Sequence, residues 1–398
     1  MIDRKQVFVT LVVMLASAVA GCRNATTPAP GRPGISRPEP SQPKVPENTA
    51  AIDKCNAVML ETAREALKLT SVMVLNARLS PKLLADQQLW ARRILDTEVR
   101  AAGTSKQKLA STAKYVKACE KSLAIIKVRR SLDASLFDLS SAEFHLAEAR
   151  YFHTTILNDP NPTERKQAVG NMLTAAKKAS ETLTLMAESG FGGPGITDRQ
   201  RLWGKRVMSS TLKLNETPER KIAAVRQYVD FCKKLLKYTR GRRLIDANRA
   251  DIAIAELGVA EARYIQADPA TLGGGQIITA DMKQAARAML AAIDTAMETL
   301  AVRARLRSVA MDSMAFLIRR RAETLLILAE TSKQKVLVAR QHVDVCRRML
   351  DLAKIRFSGG NVARIQVVAA RYHLAEAEYM LIKAGNDNIK PKQKTRKN

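Results

Sequence analysis

Three copies of nearly the same seven residues decide the fold of this chain: HLAEARY at 145–151, GVAEARY at 258–264 and HLAEAEY at 373–379. The copies begin 113 and 115 residues apart, a spacing close to the length of one domain. Unrelated helices can share a composition, but they do not share a register over long stretches. We therefore interpret the chain as a tandem triplication.

A second aligned stretch supports this interpretation. It continues for 42 residues without a gap from three starting points, LWARRIL at Leu89, LWGKRVM at Leu202 and FLIRRRA at Phe316. The alignment predicts three helical repeats of about 113 residues each. These predicted blocks span residues 51–162, 163–274 and 275–385.

Apolar residues recur every three or four positions within each block. Leu139, Ala142 and Leu146 follow this spacing, which places them along one stripe of a helix. Such stripes are typical of helices packed side by side, so the predicted fold is all-α: an elongated coiled-coil bundle of antiparallel hairpins without a β-barrel. The Glu and Arg of each motif are predicted to lie on the solvent side. The alanines assigned to the helix seam are Ala149, Ala262 and Ala377.

One cysteine of each block falls into the same alignment column, at Cys119, Cys232 and Cys346. Each lies on an apolar stripe, as a small buried hydrophobic residue would. Packed helices lie about 8–10 Å apart, whereas a disulfide needs its Cα atoms within about 7 Å. We predict buried free thiols with a structural role, and a disulfide or metal site is the alternative.

The start of the chain is predicted to be a targeting signal. A short basic stretch precedes an apolar run at 7–18, which is shorter than the ~20 residues that a membrane-spanning helix needs. The V-A-G-C sequence that follows resembles the lipobox of bacterial lipoproteins. The resemblance implies that residues 1–21 are a signal peptide cleaved after Gly21 and that the thiol of Cys22 carries a lipid. An ordinary signal peptide or an uncleaved anchor is the alternative.

Residues 22–50 contain seven of the fourteen prolines and are predicted to form an extended tether, because this composition cannot build a core. Arg23 follows the cysteine, and in lipoproteins this implies sorting to the outer membrane. Residues 386–398 are predicted to be a basic, disordered tail.

The net charge of +28 favours anionic partners, which include lipid headgroups, acidic glycans and acidic proteins. Nucleic acid is a poor fit. The basic residues are spread over all predicted helices, and aromatic residues that would stack on bases make up only 4% of the chain.

The sequence predicts no catalytic site, no metal site and no cofactor. It contains no phosphate-binding loop, serine elbow, zinc-protease motif or dinucleotide-binding glycine pattern. His145 and His373 share one alignment column with Gly258, and His342 shares a column with Tyr115 and Tyr228. Catalytic or metal-binding residues would not be interchangeable in this way, so we predict that the protein is not an enzyme.

The stretch ARQHVDVCRRMLDLAKIRFSGGNVARIQVVAARYHLAEAEYMLIKA near the end of the chain resembles the helical repeat of TolC-type outer-membrane efflux proteins. In that family a helix ends in an R-[FY]-x-x-G turn, and the next helix alternates Leu and Ala before an A-E pair. The first two blocks lack the glycine turn. The matching positions are Arg356, Phe357, Gly359, Gly360, Val367, Val368, Ala370, Leu374, Ala377 and Glu378.

This resemblance implies periplasmic hairpins, assembly into a trimeric tunnel and export of small molecules. We expect a lipid-anchored outer-membrane protein whose helical rod, in the periplasm or at the cell surface, is a scaffold or adaptor for other envelope proteins. A homo-oligomer is possible under this expectation. The alternatives are an oligomerising component of a TolC-type export assembly and a binder of anionic envelope polymers.

Overall fold

A computed structural model describes most of the chain. The described ranges are 49–76, 81–129, 135–157, 162–190, 195–215, 217–241, 249–272, 278–306, 311–360 and 363–386. The predicted signal peptide, Gly21, Cys22 and nearly all of the predicted tether and basic tail lie outside these ranges. Residues 49, 50 and 386 belong to helices.

The described residues form twelve α-helices and no strand, which confirms the all-α prediction. Four of these helices fall in each predicted block, and a short 3-10 helix, Pro269–Leu272, follows α8. The helices are α1 (Thr49–Asn76), α2 (Pro81–Ala101), α3 (Ser105–Arg129), α4 (Leu136–Leu157), α5 (Pro162–Glu188), α6 (Ile196–Leu214), α7 (Pro218–Gly241), α8 (Arg249–Ala267), α9 (Ala280–Leu306), α10 (Met311–Leu328), α11 (Ser332–Ser358) and α12 (Arg364–Asn386).

The helix boundaries follow local sequence signals. In the two TSKQ sequences, the backbone N–H of Gln107 or Gln334 donates to the hydroxyl oxygen of Thr104 or Thr331, and the glutamine side chain accepts from the threonine N–H. This reciprocal capping box starts α3 and α11. Three other helices begin with a proline, whose missing N–H leaves no donor unsatisfied in a first turn: Pro81, Pro162 and Pro218.

Each helix packs against the next one along the chain, and α12 packs along the whole side of α1. This last contact shows that the described helices do not form an open array, which would keep its first and last helices apart. The described helices instead close into a ring. The seam is well packed: Trp90 of α2 meets Tyr372 of α12 edge to face, with ring centroids 5.6 Å apart.

The three largest apolar cores lie at equivalent places in the ring. One joins α4 to α5 and α6, another joins α8 to α9, α10 and part of α11, and the third joins α12 to α1 and α2. Each core therefore connects the last helix of one predicted block to the first two helices of the next. The third core connects the end of the chain to its beginning.

The ring has two layers. Buried residues cover most sides of α4, α8 and α12, whereas the odd-numbered helices bury one face and expose the other. Even-numbered helices also touch one another, as Phe144 of α4 does with Trp203 of α6. The even-numbered helices therefore form the inner layer and the odd-numbered helices the outer layer.

Short connections between successive packed helices make neighbours antiparallel, so all odd-numbered helices run in one direction. We call the end of the ring where α1 begins and α12 ends the proximal end, and the opposite end the distal end. Both ends of the described chain therefore lie at the proximal end. Among the described residues, no helix combines the length and the apolar character that a membrane crossing needs.

Replacing Trp90 by Ala tests the seam of the ring. Trp90 is 4% exposed and packs on Tyr372, so its removal leaves a cavity and should lower the free energy of unfolding by about 3–5 kcal/mol in urea titrations. The neighbouring Leu89, 44% exposed, supplies the matched control, and Leu89→Ala should cost about 0.5 kcal/mol or less. Equal losses for the two variants would contradict this description of the seam.

Candidate functional site

The glutamate of each seven-residue motif lies in the interior and not on the solvent side, which corrects the sequence prediction. Glu261 is 2% exposed and Glu376 6%, and the side chain of Glu148 is 19% exposed. They occupy the inner helices α4, α8 and α12. A buried carboxylate requires compensating partners, and each of the three has them.

The first partner comes from the second helix of the same predicted block. Arg92 Nη1 lies 3.2 Å from a carboxylate oxygen of Glu148, and Arg319 Nη1 lies 2.9 Å from Glu376. In the middle block, Lys205 Nζ lies 2.8 Å from Glu261. These three basic residues occupy one alignment column, 113 and 114 residues apart.

The second partner is the arginine that directly follows the first partner in sequence. It contacts the cluster of the preceding block and not that of its own block. Arg206 Nη2 lies 3.3 Å from Nε2 of His145, whose Nδ1 faces Glu148 at 3.6 Å. An arginine can only donate, so this Nε2 accepts and the imidazole proton sits on Nδ1, towards the carboxylate. Each such unit, a carboxylate with its surrounding basic side chains, is here called a carboxylate cluster.

The third carboxylate cluster has the same arrangement and draws its second partner from the beginning of the chain. Arg93 Nη2 lies 3.4 Å from Nε2 of His373, and His373 Nδ1 lies 3.7 Å from Glu376. Residues 280 positions apart in sequence thus complete one cluster. The polar contacts of the clusters therefore connect the same pairs of blocks as the apolar cores, including the third block with the first.

The second carboxylate cluster has Gly258 where the others have histidine. Arg201 fills the vacated space, since a β-carbon on Gly258 would lie only 3.0 Å from Arg201 Cδ. Arg201 Nη1 contacts Glu261 at 2.6 Å, and Arg320 reaches the same carboxylate directly at 2.9 Å. A buried arginine therefore replaces the imidazole.

These surroundings hold all three carboxylates in the ionised form. Burial alone would raise the pKa of each carboxyl, but the neighbouring basic and histidine side chains lower it to about 2. Since the folded-state pKa lies below the unfolded value of 4.5, the clusters stabilise the fold above pH 4.5. That contribution is lost as the pH falls towards 2.

The outer helices contribute one polar residue and one cysteine beside each cluster. Tyr115, Tyr228 and His342 each lie one turn before a cysteine, and His342 Nδ1 lies 3.9 Å from Cys346 Sγ. Burial raises the pKa of Cys119 and Cys346 to about 12, so these thiols stay protonated at neutral pH and are poor nucleophiles. Burial raises the pKa of Cys232 to about 11.

The sequence-predicted structural residues all lie in the interior. Ala149, Ala262 and Ala377 are fully buried where helices approach closely. All four described cysteines, the three of the column and Cys55, are buried free thiols. In the described part of the chain, no group of three or more His, Cys, Asp and Glu side chains is placed to hold a metal ion.

A cavity of about 710 Å³ opens at the proximal end of the ring. Its wall includes residues near the ends of α2, α8, α10 and α12 and near the starts of α9 and α11. Arg319 and Glu376 of the third carboxylate cluster form part of this wall. The third carboxylate cluster therefore borders the cavity.

Sequence reasoning missed the carboxylate clusters, although a signal was present. The glutamate recurs in all three motifs, and two adjacent basic columns recur 55 to 57 residues before it. Three charged columns at constant separation indicate a repeated contact. Comparison with protein-family models and with curated proteins finds no match for this chain.

Exchanging the residues of the second cluster for those of the first tests whether the clusters are equivalent. Arg201→Gln introduces the residue type found at Gln88 in the first block, and it should lower the free energy of unfolding by about 2–4 kcal/mol, because Glu261 loses a buried partner. Gly258→His alone should also destabilise, because the imidazole meets Arg201.

The double variant Arg201→Gln/Gly258→His should be more stable than the sum of the single losses predicts, with a coupling of about 1–3 kcal/mol in denaturant titrations. The introduced imidazole then occupies the space that the arginine leaves. Strictly additive losses would argue against equivalent clusters.

A histidine substitution tests the pH dependence. Burial, opposed by Glu376 and Glu323 and reinforced by His373 and Arg319, lowers the pKa of His342 to about 4. The unfolded histidine binds its proton near pH 6.5, so the folded protein loses stability as the pH falls from 6.5 towards 4.

His342→Tyr introduces the residue type of Tyr115 and Tyr228 and removes this titration. Between pH 7 and pH 4.5 the variant should lose about 1–3 kcal/mol less stability than the wild type, measured by urea unfolding at several pH values. His145 and His373 still titrate in both proteins. Parallel pH profiles would show that His342 contributes nothing.

Proposed function

We propose that this chain is a non-enzymatic envelope lipoprotein, anchored through Cys22, whose helical body is a preassembled scaffold or adaptor. The body consists of three tandem copies of a four-helix unit. The observation that carries the proposal is the closure of the ring, in which α12 packs on α1 and Arg93 of the first block completes the cluster of Glu376 in the third. A ring that is closed within one chain presents a rigid surface without needing further subunits.

The resemblance to TolC-type efflux proteins also supports the proposal, if a single chain is taken to correspond to a whole trimer. That resemblance implies a trimer of helical-hairpin subunits, and this chain carries three helical blocks in cyclic order. One chain then takes the place of three subunits. The second candidate function, a component of an export assembly, is favoured by the cavity at the proximal end.

The placement of exposed apolar side chains favours a partner at the distal end. Most of the large exposed apolar residues cluster where odd-numbered helices end and even-numbered helices begin, while the tether and the tail leave from the proximal end. An anchored ring would therefore turn its proximal end to the membrane and offer the distal end to an envelope protein. The exposed apolar residues at the distal end are Val72, Met73, Ile125, Val128, Leu136, Leu185, Ile355 and Phe357.

The anchor is tested by replacing Cys22 with Ser. In cells fed with radioactive palmitate, the wild type should carry the label and sediment with the outer membrane, because the acyl chains hold it there. Cys22→Ser should lose the label and leave the membrane fraction or remain an unprocessed precursor. Cys55→Ser, at a buried free thiol, is the matched control and should stay labelled.

Palmitate label on the Cys22→Ser chain, or an unlabelled wild type in the cytosol, would contradict the anchoring proposal. The same preparations separate the two candidate functions. A scaffold closed within one chain has the mass of a monomer by light scattering, 43.8 kDa before processing, and conducts no ions in planar bilayers. A trimer with measurable conductance would instead support the export assembly.

A further inference from the structure

The cavity at the proximal end combines positive charge with an apolar wall. Its carboxylates Glu323 and Glu376 are both compensated, since Arg319 contacts each at 2.9 Å and Arg320 contacts Glu323 at 3.0 Å. Asp268 accepts a hydrogen bond from the backbone N–H of Ala270. The acidic residues of the wall are thus largely committed to contacts within the protein.

Three basic residues of the wall, Arg100, Lys335 and Lys383, have no carboxylate partner within the described ranges. They come from three helices, α2, α11 and α12, and converge on one cavity. Arg100 is held in place because its guanidinium lies over the ring of Tyr379, 4.6 Å from the centroid. With Asp268 counted against them, these groups leave a net positive charge at the mouth of the cavity.

The rest of the wall is apolar. Side chains of α9, α10 and α12 line it together with Ile278, which precedes α9 and is 51% exposed. Two tyrosines from the same column of the motif, Tyr264 and Tyr379, also belong to the wall. The apolar residues are Ile278, Met282, Leu326, Ile327 and Met380.

We propose that this cavity binds a single-chain anionic amphiphile, with its carboxylate or phosphate head against Arg100, Lys335 and Lys383 and its hydrocarbon chain against the apolar wall. The volume of about 710 Å³ falls within the ~300–1,000 Å³ of ligand sites. Basic side chains that have no carboxylate partner among the described residues can pair with an anion, and an apolar wall gains by covering a hydrocarbon chain.

The cavity lies at the proximal end, from which the predicted tether and tail emerge. In an anchored protein it would face the membrane that supplies such amphiphiles. The binding site itself does not depend on the anchor, because all of its residues belong to the helical body. Its test therefore uses the full chain with Cys22→Ser, in which no acyl chain of the protein can occupy the cavity.

The probe is 11-(dansylamino)undecanoate, whose emission shifts to the blue in an apolar site. We expect saturable binding that dodecanoate and dodecyl phosphate displace and that inorganic phosphate alone does not. The stronger of the two competitors identifies the headgroup. Lys335→Gln/Lys383→Gln should weaken binding by about tenfold or more, because the head loses its contacts to both lysines and keeps only that to Arg100.

Lys354→Gln is the matched control, since Lys354 is an exposed lysine of α11 near the distal end, and it should bind the probe like the parent chain. Met380→Trp fills the cavity without altering its charge and should abolish binding while the helix content stays unchanged. The proposal is overturned by absent probe binding, by displacement with inorganic phosphate alone, or by equal affinities of the double variant and the Lys354→Gln control. These results say nothing about acylation of Cys22, so the two proposals fail or stand separately.

Discussion

The structure depends on the burial of three carboxylates, Glu148, Glu261 and Glu376, inside a helical ring. Taking an ionised carboxylate out of water is expensive, and the cost is offset only when donors surround it with good geometry. Here the basic groups come from two other inner helices, one before and one after the helix of each glutamate in the cyclic order. The later group contacts Glu261 directly, and it contacts the histidine beside Glu148 and Glu376. One helix cannot supply all the basic groups that a buried carboxylate needs. The need for compensation therefore fixes which helices are neighbours, and the apolar cores connect the helices in the same order.

The second carboxylate cluster explains how this requirement tolerates change. Where the histidine becomes Gly258, Arg201 moves a guanidinium into the space, and Arg320 contacts Glu261 without an intermediate imidazole. The carboxylate keeps its ionised form in all three surroundings. What the sites share is compensation of one buried negative charge, not a particular set of side chains. This favours a structural role for the clusters over a catalytic one.

The cavity is a site of a different kind. It lies at the proximal end, next to the third cluster, and its wall includes basic groups that have no carboxylate partner among the described residues. The distal end carries most of the exposed apolar side chains. These two chemically different ends agree with the adaptor that we propose, with one end towards a membrane and the other towards a protein.

The sequence by itself determined the helices and their phase. The three- and four-residue spacing around Ala149, Ala262 and Ala377 identified the buried stripe, because this spacing follows from the local geometry of a helix. It could not show that the array closes, since an open rod and a ring have the same local periodicity. Nor could it place the motif glutamates, because a glutamate looks the same in sequence whether it faces water or Arg92, Lys205 and Arg319. Only the tertiary structure brings Arg93 to His373, and the physical reason is that compensation of a buried charge depends on distances across the ring, which no local pattern records.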